Sequence, residues 1–291
     1  MSSVFKNLHE KGLIIDEPRW LSDNIMFEGL TGSVAYGVSG ESSDIDVVGF
    51  CVPPKKVLFP HLNGEIIGFG TPSTRFDQFQ MHHIRDDEKE YDIVIYSIVK
   101  FFQLVMENNP NMVDNLFLPR RCIVYSTNMY EHIRSNRKIF LHKGSYYKFI
   151  GYAYSQLSKI KKRSNSTNPK RAECIEKFGY DTKFSYHIVR LLLECEQILT
   201  EHDLDLEKNS DILKSIRNGE WSLDKIIEWF GLKEKSLETA FSESKLQNRP
   251  DESKIKKLLL ECLEMHYGDL STVIKIKQDE NDKYVISPDM I

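Results

Sequence analysis

An α/β (α+β) fold with a helical C-terminal region is predicted by three observations on this 291-residue chain. Short apolar runs of β-like composition, bounded by Gly, Pro and Asp, are confined to the N-terminal part. From Asn128 onward, apolar residues recur at three- and four-residue spacing, the period of an amphipathic helix. Between the first two strand-like runs lies a glycine-serine turn, followed by two carboxylates separated by one residue.

Each element follows from its local sequence. Ile25-Met26-Phe27-Glu28-Gly29-Leu30 reads as a short apolar strand, and Gly32-Ser33-Val34-Ala35-Tyr36-Gly37 as a strand-to-helix turn. Asp44–Val52 is a second strand, closed by Pro53-Pro54, where ladder donors run out. Glu65–Gly70 and Tyr91–Ile95 are further strand candidates; the latter follows the polar run Arg85–Glu90 and leads into a helix over Ile98–Glu107. Asn108-Asn109-Pro110-Asn111 stops that helix in a turn. Helices are then predicted over Tyr146–Lys161, Lys183–Glu201, Leu223–Phe230 and Ile255–Tyr267. The change of pattern divides the chain into residues 1–127 and 128–291.

Composition sets the class. Hydrophobic residues at 41% and charged residues at 28% are ordinary for a globular protein, and the chain is long enough for a sizeable core. A net charge of −4 excludes a uniformly basic nucleic-acid binder but leaves room for a local basic groove. Five scattered cysteines without a Cys-x-x-Cys pair predict a reducing compartment and no structural zinc. The N-terminus lacks an apolar leader and no run is long enough to span a bilayer, so the expectation is a cytoplasmic protein with no membrane partner.

The chemistry begins with Asp44 and Asp46. Side chains at i and i+2 of a strand share a face, so both carboxylates can reach one pair of divalent ions, which in two-metal enzymes lie about 3.5–4 Å apart. A phosphate would sit on the backbone N–H groups around Gly32-Ser33 if a helix begins there. A phosphate cradle beside metal-binding carboxylates is equipment for phosphoryl or nucleotidyl transfer. Taken separately, the same residues also suit a turn glycine and solvated strand-edge aspartates.

Gly-Ser-x-Ala-Tyr-Gly followed by Ser43-Asp44-x-Asp46-x-x-Gly49 resembles the signature of the DNA polymerase β-like nucleotidyltransferase superfamily, in particular its YcgL-type branch. That branch is similar to the phage and bacterial RNA-ligase-adjacent polymerase-β-like proteins, T-even-type phage members among them. The resemblance continues through Asn109-Pro110 and Tyr180-Asp181-Thr182-Lys183…His187…Arg190, over most of the chain. It implies a polymerase β-type palm with a mixed sheet as a catalytic domain over residues 1–127, and a helical, substrate-clamping domain over 128–291. For a phage-encoded chain the compartment becomes the host cytoplasm.

The resemblance also implies a third carboxylate on a later strand. Asp92 is the first choice, Glu90 the reserve on the same strand face, and Asp77 a weaker competitor; the bland alternative is that Asp92 caps its strand and faces water. Asp44, Asp46 and Asp92 would then hold Mg²⁺ or Mn²⁺, with an NTP as substrate and pyrophosphate as leaving group. Gly32, Ser33, Tyr36 and Ser43 fall to the nucleotide and its phosphates. Lys183, His187 and Arg190, at i, i+4 and i+7, form one helical stripe opposite the apolar face of Phe184, Ile188, Leu191, Leu192 and Cys195. Such a stripe holds a triphosphate, an RNA backbone or only water; the resemblance favours phosphate contact for Lys183 and Arg190, and leaves His187 a supporting role as an alternative.

A second basic segment, Lys159-Ile160-Lys161-Lys162-Arg163, stands near a dense set of tyrosines on the same predicted helix. This composition suits single-stranded nucleic acid, and equally a solvated helix end. The resemblance implies transfer of a nucleoside monophosphate from an NTP to a hydroxyl, with an RNA 3′ end, such as that of a damaged tRNA, as leading acceptor. The alternatives are nucleotidylation of a protein or small molecule, or a nucleotide-binding protein without turnover. His82-His83 lacks the spacing of a metal pair, and structural or surface roles are expected for it. Cys51 and Cys195 are expected to be small core residues, and Trp221 and Trp229 to pack among the C-terminal helices.

Overall fold

The computed structural model describes residues 2–40, 44–59, 75–161, 169–268, 276–278 and 284–286. The strand expected over Glu65–Gly70 lies outside the described residues. The N-terminal part runs α1 (Val4–Glu10), β1 (Ile25–Leu30), β2 (Ile45–Cys51), α2 (Lys55–Leu58), β3 (Gln78–Asp86) and β4 (Lys89–Ser97). It continues through α3 (Ile98–Met106), α4 (Pro110–Phe117) and β5 (Ile123–Ser126). Helices follow: α5 (Asn128–Ser135), α6 (Ser145–Lys161), α7 (Pro169–Phe178), α8 (Thr182–Glu201), α9 (Ser210–Arg217), α10 (Leu223–Glu243) and α11 (Glu252–Tyr267). Two short strands, β6 (Ile276–Gln278) and β7 (Tyr284–Ile286), pair with each other.

The main sheet is mixed, in the order β3-β4-β2-β1-β5. Its one parallel pair is β2 with β4, and the other neighbours are antiparallel. A parallel pair needs a crossover, and here the chain between the two strands carries α2 and β3. The run Arg85–Glu90, expected to be merely polar, is the β3–β4 hairpin tip: Arg85 pairs with Glu90 and Asp86 with Lys89, and Asp87 takes the left-handed conformation (φ 54) that the turn requires.

Both faces of the sheet are covered at its centre, each by its own core. One cluster holds Ile25, Val47, Cys51, Ile93 and Ile95 against Phe5 and Leu8 of α1. The other holds Phe27 and Phe50 against the helices, with Phe27 stacked on Tyr130 at 3.8 Å and Phe50 packed on Phe101 at 4.9 Å. This second core continues through α6 and α8 to Leu258 and Cys262 of α11. Cys51 and Cys195 are buried as expected, and Trp221 and Trp229 meet edge-on at 6.2 Å. The bulge in β1 between Ile25 and Phe27 presses the backbone onto β2: a Cβ on Gly49 would lie 2.2 Å from the Phe27 carbonyl oxygen, so that position admits only glycine.

A buried carboxylate ties α1 to the sheet. Glu28 of β1 is fully buried and accepts the backbone N–H groups of Val4 at 2.8 Å and Phe5 at 2.9 Å, capping the first turn of α1 from another element. Replacing Glu28 by Ala leaves both donors without an acceptor. The expected cost is about 2–3 kcal/mol, read as a lower urea midpoint at unchanged slope.

Candidate active site

The register of the parallel pair assembles the centre of the site. Asp46 of β2 stands directly opposite Asp92 of β4, so the two carboxylates project side by side from the same face. That face is the one packed by the helices, since Phe50, two pleats on from Asp46, belongs to the helical core. Asp44, just ahead of β2, is exposed. Glu90 shares the strand face of Asp92 but opposes Arg85 and contacts the His83 ring at 2.5 Å. Asp77 lies beyond the far end of β3, where its carbonyl accepts the Ser97 N–H. The register therefore brings Asp92, and neither competitor, onto Asp46.

Charge and burial act together on Asp46. Its carboxyl is held above the ordinary carboxylate range by burial and then by Asp92, with Asp44 adding to the shift; Lys183 and His82 oppose it. Lys183, exposed in the first turn of α8, thus lies within electrostatic reach of the carboxylate pair. These are hard oxygen donors with mutual repulsion that a divalent cation relieves, so the residues fit Mg²⁺ or Mn²⁺. Among the described residues, no three Asp, Glu, His or Cys groups form a ready-made cage.

The glycine-serine turn abuts the same carboxylate. The Thr31 N–H donates to the Asp46 carbonyl at 2.9 Å, and Gly32 has φ +64. A Cβ on Gly32 would lie 2.5 Å from Asp46 Oδ2, so conformation and space both require glycine. The expected helix start is only a single 3₁₀ turn, Gly32–Val34, closed by the Ala35 N–H on the Gly32 carbonyl. A helix dipole is therefore not on offer to a phosphate here; local N–H groups are. The loop is pinned from outside by Arg121, which donates to the Val34 carbonyl at 2.8 Å, and by Arg217, which donates to the Val38 carbonyl.

Tyr36 and Arg190, expected at the nucleotide, lie inside the fold. Both are 4% exposed, and the Arg190 guanidinium lies 4.3 Å from the Tyr36 ring centre. Arg190 Nη1 donates to Tyr36 Oη at 2.5 Å, Asp114 Oδ2 at 2.7 Å and Glu194 Oε1 at 3.1 Å, while the Tyr36 hydroxyl donates to Asp114 at 2.6 Å. The stripe of Lys183, His187 and Arg190 is thus not uniformly outward. α8 packs against α6, α9 and α10, so its polar side runs from the exposed Lys183 past the half-buried His187 into a sealed ionic cluster. Burial raises both Asp114 and Glu194, and Glu194 most strongly. Although burial works against its charge, Glu194, Tyr36 and Asp114 hold the Arg190 guanidinium above its ordinary value.

The second basic segment is only partly described. Lys159, exposed near the end of α6, has its ammonium 5.6 Å from the ring centre of Phe184, the neighbour of Lys183. It therefore stands beside the start of α8, which carries Lys183. Lys162 and Arg163 lie outside the described residues, as does Ser43, and the side chain of Lys161 is likewise not described.

His82 and His83 are exposed, as expected, but sequence reasoning missed their contact with Asp92. β3 bulges between Met81 and Ile84, so His82 and His83 together oppose Asp92, and His83 takes φ 56. The His83 N–H donates to Asp92 Oδ1 at 2.9 Å and the His82 ring nitrogen lies 3.3 Å from the same oxygen. The one available signal was the break in alternation: Phe79 and Ile84, both buried on one face, are five residues apart.

The description RNA repair pathway DNA polymerase beta family, RlaP, matches residues 7–261. The chain belongs to this family. An RlaP family member with a five-stranded mixed sheet and helices is a polymerase β-type nucleotidyltransferase of RNA repair, as the glycine-serine and Asp-x-Asp residues lead one to expect. No curated protein matches the chain. Among solved structures, a nucleotidyltransferase-like protein from Exiguobacterium sibiricum 255-15 is 9% identical over 89% of this chain and 78% of its own. The TM-score between the two is 0.29. No helix among the described residues is long and apolar enough to cross a membrane.

Proposed function

We propose that this protein transfers a nucleoside monophosphate from an NTP to a hydroxyl at an RNA 3′ end, a tRNA end being one such acceptor, with release of pyrophosphate. The observation that carries the proposal is the pairing of Asp46 with Asp92 on adjacent parallel strands, beside the Gly32 turn. In this reading Asp44, Asp46 and Asp92 hold divalent ions, which when bound neutralise charge on the entering and leaving oxygens. The Gly32-Ser33 backbone and Lys183 contact the phosphates, with Ser43 and His187 in supporting positions. Tyr36 and Arg190 hold the turn from beneath, through the core. Lys159 and the segment Lys161-Lys162-Arg163 meet the RNA backbone, and the helices of residues 128–291 clamp the substrate against the sheet.

In the transfer the acceptor hydroxyl oxygen attacks the α-phosphorus in line with the leaving pyrophosphate. The new O–P bond forms as the bond to the β-phosphate oxygen breaks. The hydroxyl proton passes to the Asp92 carboxylate, the member of the pair further from the glycine-serine turn. The test is incorporation of label from each of the four α-labelled NTPs, with Mg²⁺ or Mn²⁺, offered cell RNA and total protein together. Label in RNA is the expected result. Label in protein alone moves the assignment to protein nucleotidylation, and label in neither removes the RNA acceptor.

A further inference from the structure

The edge strand β3 carries an exposed polar row on the face of the sheet that bears the carboxylates. Gln78 pairs with Tyr96 and Gln80 with Val94, and the bulge sets His82 against Asp92, so all three point to the side of Asp92. The row is linked: Gln78 Nε2 donates to Gln80 Oε1 at 3.0 Å, and the Gln80 amide contacts the His82 ring. Gln78, Gln80 and His82 are all exposed, whereas Phe79 and Ile84 on the opposite face are buried against the α1 side. Between Gln78 and Arg85 the strand has no carboxylate, and Arg85 at its end is 81% exposed.

The order of strands gives this row a direction. The glycine-serine turn follows β1 and abuts Asp46 on β2; Asp92 lies on the next strand, β4, and the polar row on the one after that, β3. If the triphosphate sits over the turn, the in-line geometry of transfer brings the attacking hydroxyl from the Asp92 side. The surface it must approach over is therefore β3. Side-chain amides both donate and accept, which matches ribose hydroxyls and base edges better than it matches phosphate.

We propose that Gln78 and Gln80 form the subsite for the acceptor strand, binding the ribose and base of the 3′-terminal nucleotides of a single-stranded RNA, with Arg85 beside its backbone. The inference rests on the reading of this protein as an RNA nucleotidyltransferase and adds where the acceptor lies. With the triphosphate over the glycine-serine turn, neither glutamine touches the NTP, so their loss acts on one substrate alone.

The experiment measures KM for an RNA oligonucleotide and for the NTP separately, in the wild type, in Gln78→Ala/Gln80→Ala and in Gln80→Glu, each checked for an unchanged melting temperature. Two lost hydrogen bonds predict an acceptor KM about tenfold higher in the double variant, with kcat and the NTP KM within about twofold. Gln80→Glu, which adds negative charge on the path of the strand, should weaken the acceptor at least as much. A wild type that labels RNA, with acceptor KM unmoved in both variants, overturns the subsite while leaving the RNA reading intact. A wild type that labels protein and not RNA overturns both.

Discussion

Asp46→Asn is expected to abolish nucleotidyl transfer, by about a thousandfold or more, without lowering the melting temperature. The first part follows from position: Asp46 alone is shared by the Asp92 pairing and the Gly32 approach, so it lies where ligand charge and phosphate meet. Three orders of magnitude correspond to about 4 kcal/mol of transition-state stabilisation, within what a charged group at a two-metal centre supplies. The second part follows from the direction of its pKa. Burial, Asp92 and Asp44 all penalise the Asp46 charge, so a neutral isostere relieves the folded state. Asp92→Asn should lose activity comparably. Activity assays and thermal melts on the same preparations check both. A large activity loss accompanied by a lower melting temperature would instead mark Asp46 as a structural residue.

Arg190→Met is expected to destabilise the fold by about 3–5 kcal/mol, because it leaves two buried carboxylates, Asp114 and Glu194, facing each other without a cation. Glu194→Gln is expected to cost less than Arg190→Met, since Asp114 still faces the guanidinium and burial already disfavours the Glu194 charge. The signs fix a pH dependence. Where a carboxyl is raised in the folded state, the unfolded chain sheds its proton first, so stability falls as pH rises from the ordinary carboxylate range through the raised value. Urea denaturation of the wild type across that window should show this slope, and Glu194→Gln should reduce it. Because the cluster reaches the Gly32 turn through the Tyr36 hydroxyl, Arg190→Met should also lower activity in whatever fraction remains folded.

The carboxylate pair and the Arg190 cluster differ in how far the sequence alone reaches them. Asp46 could be placed beside the glycine-serine turn because strand alternation and turn chemistry are local rules, whereas Asp44, expected on the same strand, lies just ahead of β2. That Asp92 completes the group depends on the β2–β4 register, a long-range pairing which periodicity does not encode; there it took the family resemblance to suggest it. Arg190 shows the opposite failure. Its spacing from Lys183 and His187 is correct for one helical stripe, yet α8 is packed against α6, α7, α9 and α10, and an arginine in an enclosed helix must bring counter-charges with it. Asp114 and Glu194 were those counter-charges. The histidines of β3 were set aside for lacking metal spacing, and no local rule forecasts a bulge that turns two consecutive residues toward one carboxylate.

The most direct test of the central claim is a pair of transfers with the same NTP, labelled at the α-phosphate in one and the γ-phosphate in the other, using wild type and Asp46→Asn. If Asp46 and Asp92 form a nucleotidyl-transfer centre, the α label enters the RNA, the γ label appears in pyrophosphate, and both signals vanish in Asp46→Asn. Gamma label in the acceptor, or undiminished α transfer by Asp46→Asn, would contradict it.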